Sequence, residues 1–208
     1  LYSITNSPVI ILSSPRTGSS ALAIGIFNQL KNTHDNIQLF NEPFHHDQFP
    51  ELTSAINNNT DYVLKVHIKD LLKHHYPKQL LNIISNHQCF LIRIRRRNVV
   101  AQITSKYIAD LRDVWGYPTA IKYEAVTEIN IKKIIGFISD ILDYNKTLDN
   151  YPVPFDLDLY YEDLKFSDTG VIRTPQPENY LLIEQLVTYF LRKHNDAKDT
   201  SNGVTWGR

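Results

Sequence analysis

The 208-residue chain has no methionine and only one cysteine, Cys89. A lone cysteine cannot close an internal disulfide. It sits in the apolar run CFLI and reads as a small buried residue. A reducing, cytoplasmic setting is the expectation. An excess of either charge is also missing: Lys+Arg and Asp+Glu are each 22, so the formal net charge is zero. That balance argues against nucleic acid or an anionic membrane as partner, since their binders carry a basic excess. It leaves room for a small cationic pocket. No apolar run approaches the ~20 residues that span a bilayer, and no signal peptide is visible. With Leu1 first and no methionine, a natural N-terminus, and any targeting segment on it, is expected to have been lost. His45–His46 and His74–His75 are adjacent pairs without the spacing of zinc ligands, so no metal is assigned. A Walker loop is absent as well. That pattern needs a lysine after its second glycine, whereas Ser19 follows Gly18 and no glycine stands five positions earlier.

What is present is an alternation of short β-rich runs and longer helical ones. PVIIL (8–12) is β-branched, continuous and short, as a buried strand is. NIQLF (36–40), DYVLKVHI (61–68), QCFLIRIR (88–95) and VPFDLDLYY (153–161) are four further candidate strands. Residues 20–31 carry Leu22, Ile26 and Leu30 on one helical face. Helices are also predicted over 98–111, 130–148 and 178–194. This order implies a single α/β domain over 1–208, with about five mostly parallel strands and helices on both faces. Ligands of such sheets bind beyond the carboxyl ends of the strands. The aromatic segment 113–128 fits no element and reads either as a substrate-side lid or as an irregular surface stretch.

SSPRTGSS (13–20) falls between the first predicted strand and the first predicted helix. Helix N-termini carry unpaired N–H groups and partial positive charge, which suit phosphate or sulfate. Gly18 allows close backbone approach. Thr17, Ser19 and Ser20 add hydroxyl donors, and Arg16 adds a planar cationic fork. The plain alternative is a helix cap of small residues beside a solvated arginine.

SSPRTGSSALA resembles the 5′-phosphosulfate loop of sulfotransferases that use 3′-phosphoadenosine 5′-phosphosulfate (PAPS). Arg16 takes the place of that family's Lys/Arg, with Thr17, Gly18, Ser19 and Ser20 following in order. The resemblance extends to RRRNVVAQITS (95–105), whose texture is similar to bacterial carbohydrate-type sulfotransferases. Arg97 and Ser105 match the family's 3′-phosphate arginine and the serine eight residues on. Asn98 fits as well, although Val99 stands where a proline is common. Tyr161, in YYEDL, matches a tyrosine near the nucleotide. The Gly-rich C-terminal loop of cytosolic enzymes has no match in 192–208.

Transfer of a sulfuryl group to a hydroxyl requires proton removal from the acceptor, alignment, and stabilisation of the leaving oxygen. Two base candidates exist. Glu42, in NEPF, resembles the glutamate-proline turn of the carbohydrate-acting branches and is placed first. His67, in LKVHIKDLL, resembles the histidine of the cytosolic branch, with Lys65 two residues earlier on the same strand face. The resemblance implies a P-loop NTPase-like fold of sulfotransferase type, PAPS as donor without a metal, and in-line transfer to a hydroxyl of a carbohydrate or small molecule. Arg16 would stabilise the leaving phosphate, with Lys65 assisting. Two alternatives stand beside this. A P-loop-like kinase would need Mg²⁺ and a strand aspartate, for which Asp156 and Asp158 are the candidates. A binding protein of the same fold would hold the nucleotide without turning it over.

Overall fold

The computed structural model describes Ile4 and residues 8–43, 48–71, 78–111, 128–164 and 179–202. The chain divides into two compact units, one of Leu1–Arg97 and Tyr144–Val171 and one of Asn98–Asp143 and Ile172–Arg208.

The first unit is built on five parallel strands: β1 (Val9–Ser13), β2 (Gln38–Asn41), β3 (Tyr62–His67), β4 (Phe90–Arg95) and β5 (Leu157–Tyr160), in the order β2-β3-β1-β4-β5. Every residue of β1 and β3 is buried, which explains why their apolar runs are continuous rather than alternating. The period of two still sorts the side chains into two layers. Val9, Ile11, Val63, Ile92 and Ile94 face α1 (Ser19–Leu30), through Leu22, Ala23, Ile26 and Leu30. Ile10, Leu12, Leu64, Val66 and Leu91 face the other way. They pack on α2 (Phe49–Asn57), α3 (Ile68–Leu71), α4 (Lys78–Ser85) and Leu148. The reversal follows from handedness. The step from β1 to β2 runs one way along the sheet and the steps from β2 to β3 and from β3 to β4 run the other, so right-handed crossovers place their helices on opposite faces. The loop after β1 therefore diverges from the loops after β3 and β4, at the kind of switch point where α/β sheets hold ligands.

The second unit holds α5 (Val99–Leu111), the first part of α6 (Ile131–Asp149), and α7 (Tyr180–Asn202). Asn98 Oδ1 caps α5 by accepting from the Ala101 amide at 2.9 Å, and Asn130 Oδ1 caps α6 by accepting from the Lys133 amide at 3.1 Å. Ile103, Tyr107, Ile134, Ile138, Ile141, Ile183 and Val187 form its core. No helix among the described residues is long and apolar enough to cross a membrane.

Candidate functional site

Every strand of the sheet ends on the same edge, and Arg16, Gly18, Glu42, Lys65, His67 and Arg97 lie at or just beyond it. Between β1 and α1 the loop winds through two left-handed residues, Arg16 at φ 64° and Gly18 at φ 75°. Left-handed residues are the conformations from which backbone N–H concavities that suit anions are built. Gly18 also occupies the N-cap of α1, where no side chain caps the helix. The hydroxyls brace the loop from behind. Ser13 Oγ donates to Ser19 Oγ at 3.0 Å, Thr17 Oγ1 donates to the Ser14 carbonyl at 3.1 Å, and Ser14 Oγ donates to Asn145 Oδ1 at 2.6 Å. Ser13, Ser14, Thr17 and Ser19 are all buried, whereas Arg16, Gly18 and Ser20 are partly exposed. Thr17 and Ser19 thus hold the corner, while the surface belongs to the backbone, Arg16 and Ser20.

Four described non-glycine residues have positive φ: Arg16, Glu42, Asn59 and His87. Asn59 and His87 have a local reason. Each ends a helix in a Schellman turn, with Thr60 N donating to Ala55 O at 3.0 Å and Gln88 N donating to Ile83 O at 3.0 Å. Glu42 stands just past β2 and Arg16 lies in the loop three residues past β1, so their strain of ~1–2 kcal/mol each marks two contorted positions beyond the strand ends with no helix to terminate.

Glu42 directly follows β2, and its amide donates to the Lys65 carbonyl at 3.0 Å. Lys65 and His67 continue the row of Val63 toward the carboxyl end of β3, with Lys65 in register with Asn41 of β2 and Ile11 of β1. Lys65 Nζ donates to Glu42 Oε1 and lies 3.0 Å from His67 Nε2, which is itself 3.5 Å from Glu42 Oε1. The three candidates for base and assisting cation thus form one cluster. The side chains are graded in exposure, Lys65 at 2%, His67 at 11% and Glu42 at 22%. Burial holds the Lys65 ammonium below the usual lysine range, with Arg16 pushing the same way and Glu42 and Asp70 opposing. The influence of Arg16 on Lys65 places the anion loop and the cluster in one electrostatic neighbourhood. A charged Lys65 has only donors, and in that state the pair requires the His67 tautomer whose proton is on Nδ1.

The arginine run after β4 separates by role. Arg93 and Arg95 both reach Asp158, at 2.5 and 2.6 Å, and Arg95 also pairs with Asp149 at 3.0 Å. Arg97 is half-exposed and makes a fork-to-fork pair with Asp163 at 2.6 and 2.7 Å, while its amide donates to Glu162 Oε2 at 3.1 Å. That pair raises the Arg97 pKa and lowers that of Asp163. Arg96, which sequence reasoning passed over, turns inward. Its Nη1 donates to the Arg16 carbonyl at 3.3 Å, and its guanidinium lies 4.6 Å from the ring centre of Tyr161. Tyr161 opens a single 3-10 turn, Tyr161–Asp163. Ser105 lies on α5 in the second unit.

The two aspartates proposed as Mg²⁺ ligands have other partners. Asp156 precedes β5, at the amino end of the strand, and its Oδ2 accepts from the Leu91 amide at 2.7 Å. Asp158 is held by the two arginines. Among the described residues, no group of three or more His, Cys, Asp or Glu side chains could hold a metal ion. His45, His46, His74, His75 and nearly all of segment 113–128 lie outside the described residues.

Fold and site edge define an α/β protein with a doubly wound, P-loop-like parallel sheet. No protein-family model and no curated protein matches the chain. Among solved structures, a chain from the PezAT chromosomal toxin-antitoxin system of Streptococcus pneumoniae aligns with 91% of this chain and 88% of its own length, at 12% identity and a TM-score of 0.36.

Proposed function

We propose that the protein is a PAPS-dependent sulfotransferase acting on a hydroxyl of a carbohydrate or small molecule. The observation that carries the proposal is the meeting of Glu42, Lys65 and His67 at the same sheet edge as the Arg16–Gly18 loop. The donor would supply a sulfuryl group on a phosphate leaving group. The chain supplies a loop whose N–H groups and Arg16 suit the 5′ anions, and Ser20 at its rim. Arg97 is assigned to the 3′-phosphate. It pairs with Asp163, so a phosphate there must replace a carboxylate. Ser105 and Tyr161 are assigned to the nucleotide by family resemblance.

Glu42 is favoured as base over His67. It is the most exposed of the three, and its carboxylate has a second oxygen beyond the one Lys65 engages. The lone pair of His67 Nε2 faces Lys65. Lys65 then orients the base, and His67 completes the shell around the ammonium. A general base of this kind contributes ~10²–10⁴-fold to the rate.

Calorimetry with 3′,5′-adenosine bisphosphate and with Mg-ATP tests the reading. Binding of the bisphosphate is expected. Binding of Mg-ATP alone would overturn it and favour the kinase alternative.

A further inference from the structure

The geometry points to Arg96 as the positioning residue that sets the anion loop, acting on the donor through the backbone of Arg16. This rests on the reading of the loop as an anion cradle. In a backbone concavity whose N–H groups converge, the carbonyls are turned away from the ligand and need donors of their own. The Arg16 carbonyl has one in Arg96 Nη1 at 3.3 Å. Arg16 is also the non-glycine residue held at φ 64° in that loop. A charged donor on its carbonyl is a direct way to keep the strained conformation populated.

Arg96 is built for this and not for solvent. Its side chain is 16% exposed, compared with 51% for Arg97. The ring of Tyr161 lies against its guanidinium, and Glu162 Oε1 stands 4.0 Å from its Nε. Arg96 thereby joins three strand ends, those of β1, β4 and β5. Its neighbours are committed elsewhere, Arg93 and Arg95 to Asp158 and Arg97 to Asp163. Lysine cannot take its place, because a point ammonium lacks the planar face that lies on Tyr161 while one edge donates. The assignment also gives Tyr161 a role beside the one the resemblance implies: its ring fixes the plane of Arg96.

The test compares wild type, Arg96→Ala, Arg96→Lys, Arg16→Ala and the double alanine variant. Affinity for 3′,5′-adenosine bisphosphate is measured by calorimetry, and amide exchange of the 14–20 peptide is measured without ligand. Arg96→Ala is expected to weaken binding about tenfold or more, to speed exchange in that peptide, and to recover affinity in millimolar guanidinium. Arg96→Lys should not recover it. Arg16→Ala keeps the carbonyl that Arg96 engages, so Arg96→Ala should speed exchange of the 14–20 peptide in the Arg16→Ala background as well. Unchanged affinity in Arg96→Ala, or exchange of the 14–20 peptide that Arg96→Ala leaves unchanged in either background, would overturn the inference. If wild type itself fails to bind the bisphosphate, the sulfotransferase reading fails. The exchange arm still judges Arg96 in that case, and an unchanged 14–20 peptide would overturn the anchoring role.

Discussion

Lys65 and Glu42 illustrate how unequal the members of an ion pair can be. Lys65 is almost fully buried and Glu42 keeps contact with water. Removing Glu42 leaves a buried ammonium without its counter-charge, at a cost of up to about 3–5 kcal/mol, less whatever Lys65 recovers by losing its proton. Removing Lys65 leaves a carboxylate that water can reach. Glu42→Ala should therefore lower stability clearly, and Lys65→Met should lower it little or raise it, as read by urea unfolding. Equal losses would contradict the asymmetry. The pH dependence has a definite sign. The folded pKa of Lys65 lies below its ordinary 10.5. Between that lowered value and 10.5 the unfolded chain binds more protons, so this residue's contribution rises with pH. Wild type should gain stability relative to Lys65→Met as pH is raised toward 10.5, and a constant difference would refute this. Cys89 runs the other way. Burial pushes its thiol up from 9.0 to about 12, so its contribution is present below pH 9.0 and is lost as pH rises from there toward 12. The same shift predicts that a disulfide reagent modifies Cys89 more slowly in the folded than in the unfolded chain.

At the scale of elements, the predicted alternation of strands and helices is present, with ends displaced by a few residues. The strand expected over 8–12 is Val9–Ser13, and the helix expected over 98–111 is Val99–Leu111. The strand expected over 153–161 is shorter, Leu157–Tyr160: at Asp156 the backbone amide still donates to the Leu91 carbonyl at 2.9 Å, but the Leu91 amide goes to the Asp156 side chain, and Tyr161 begins a 3-10 turn. The helix predicted over 178–194 continues to Asn202. The helices α2 and α4 escaped notice because each is short. Their apolar signals reduce to Leu52, Ala55 and Ile56 in one, and Leu80 and Ile84 in the other. Pro50, in the first turn of α2, was a start signal that could have revealed it. Gly18 carries the element-scale prediction. At φ 75° a Cβ is disfavoured by ~1–2 kcal/mol, and on the proposed function it would also stand where the backbone would approach the donor's 5′ anions. Gly18→Ala should lower the unfolding midpoint and weaken bisphosphate binding together. A variant that binds normally would remove Gly18 from the cradle.

For the molecule as a whole, β1 is central: both its neighbours are parallel strands, and all five of its residues are buried. β2 and β5 are edges with partly exposed residues. Amide exchange in the first unit should therefore be slowest in β1 and β3 and faster in β2 and β5, since opening an edge exposes less apolar surface than opening the centre. Equal protection across the sheet would contradict this ordering. Zero net charge combined with a cationic loop also has a consequence. Bisphosphate affinity should fall with added salt through local screening, although the chain as a whole has no excess of positive charge.

The sequence by itself determined the layers and the inventory: periods of two and 3.6, a small-residue corner with Arg16 and Gly18, and the residues Glu42, Lys65, His67 and Arg97. These are local properties, written within one turn or one strand. Tertiary structure alone decided which of them meet. Glu42 and Lys65 are 23 residues apart in the chain and touch because β2 pairs with β3. Arg96 and Arg16 are 80 apart and touch because β4 lies beside β1. Four arginines that look alike as a run became two clamps on Asp158, one partner of Asp163 and one donor to the anion loop. No local pattern could sort them, because what distinguishes them is the neighbour that strand order places opposite each one.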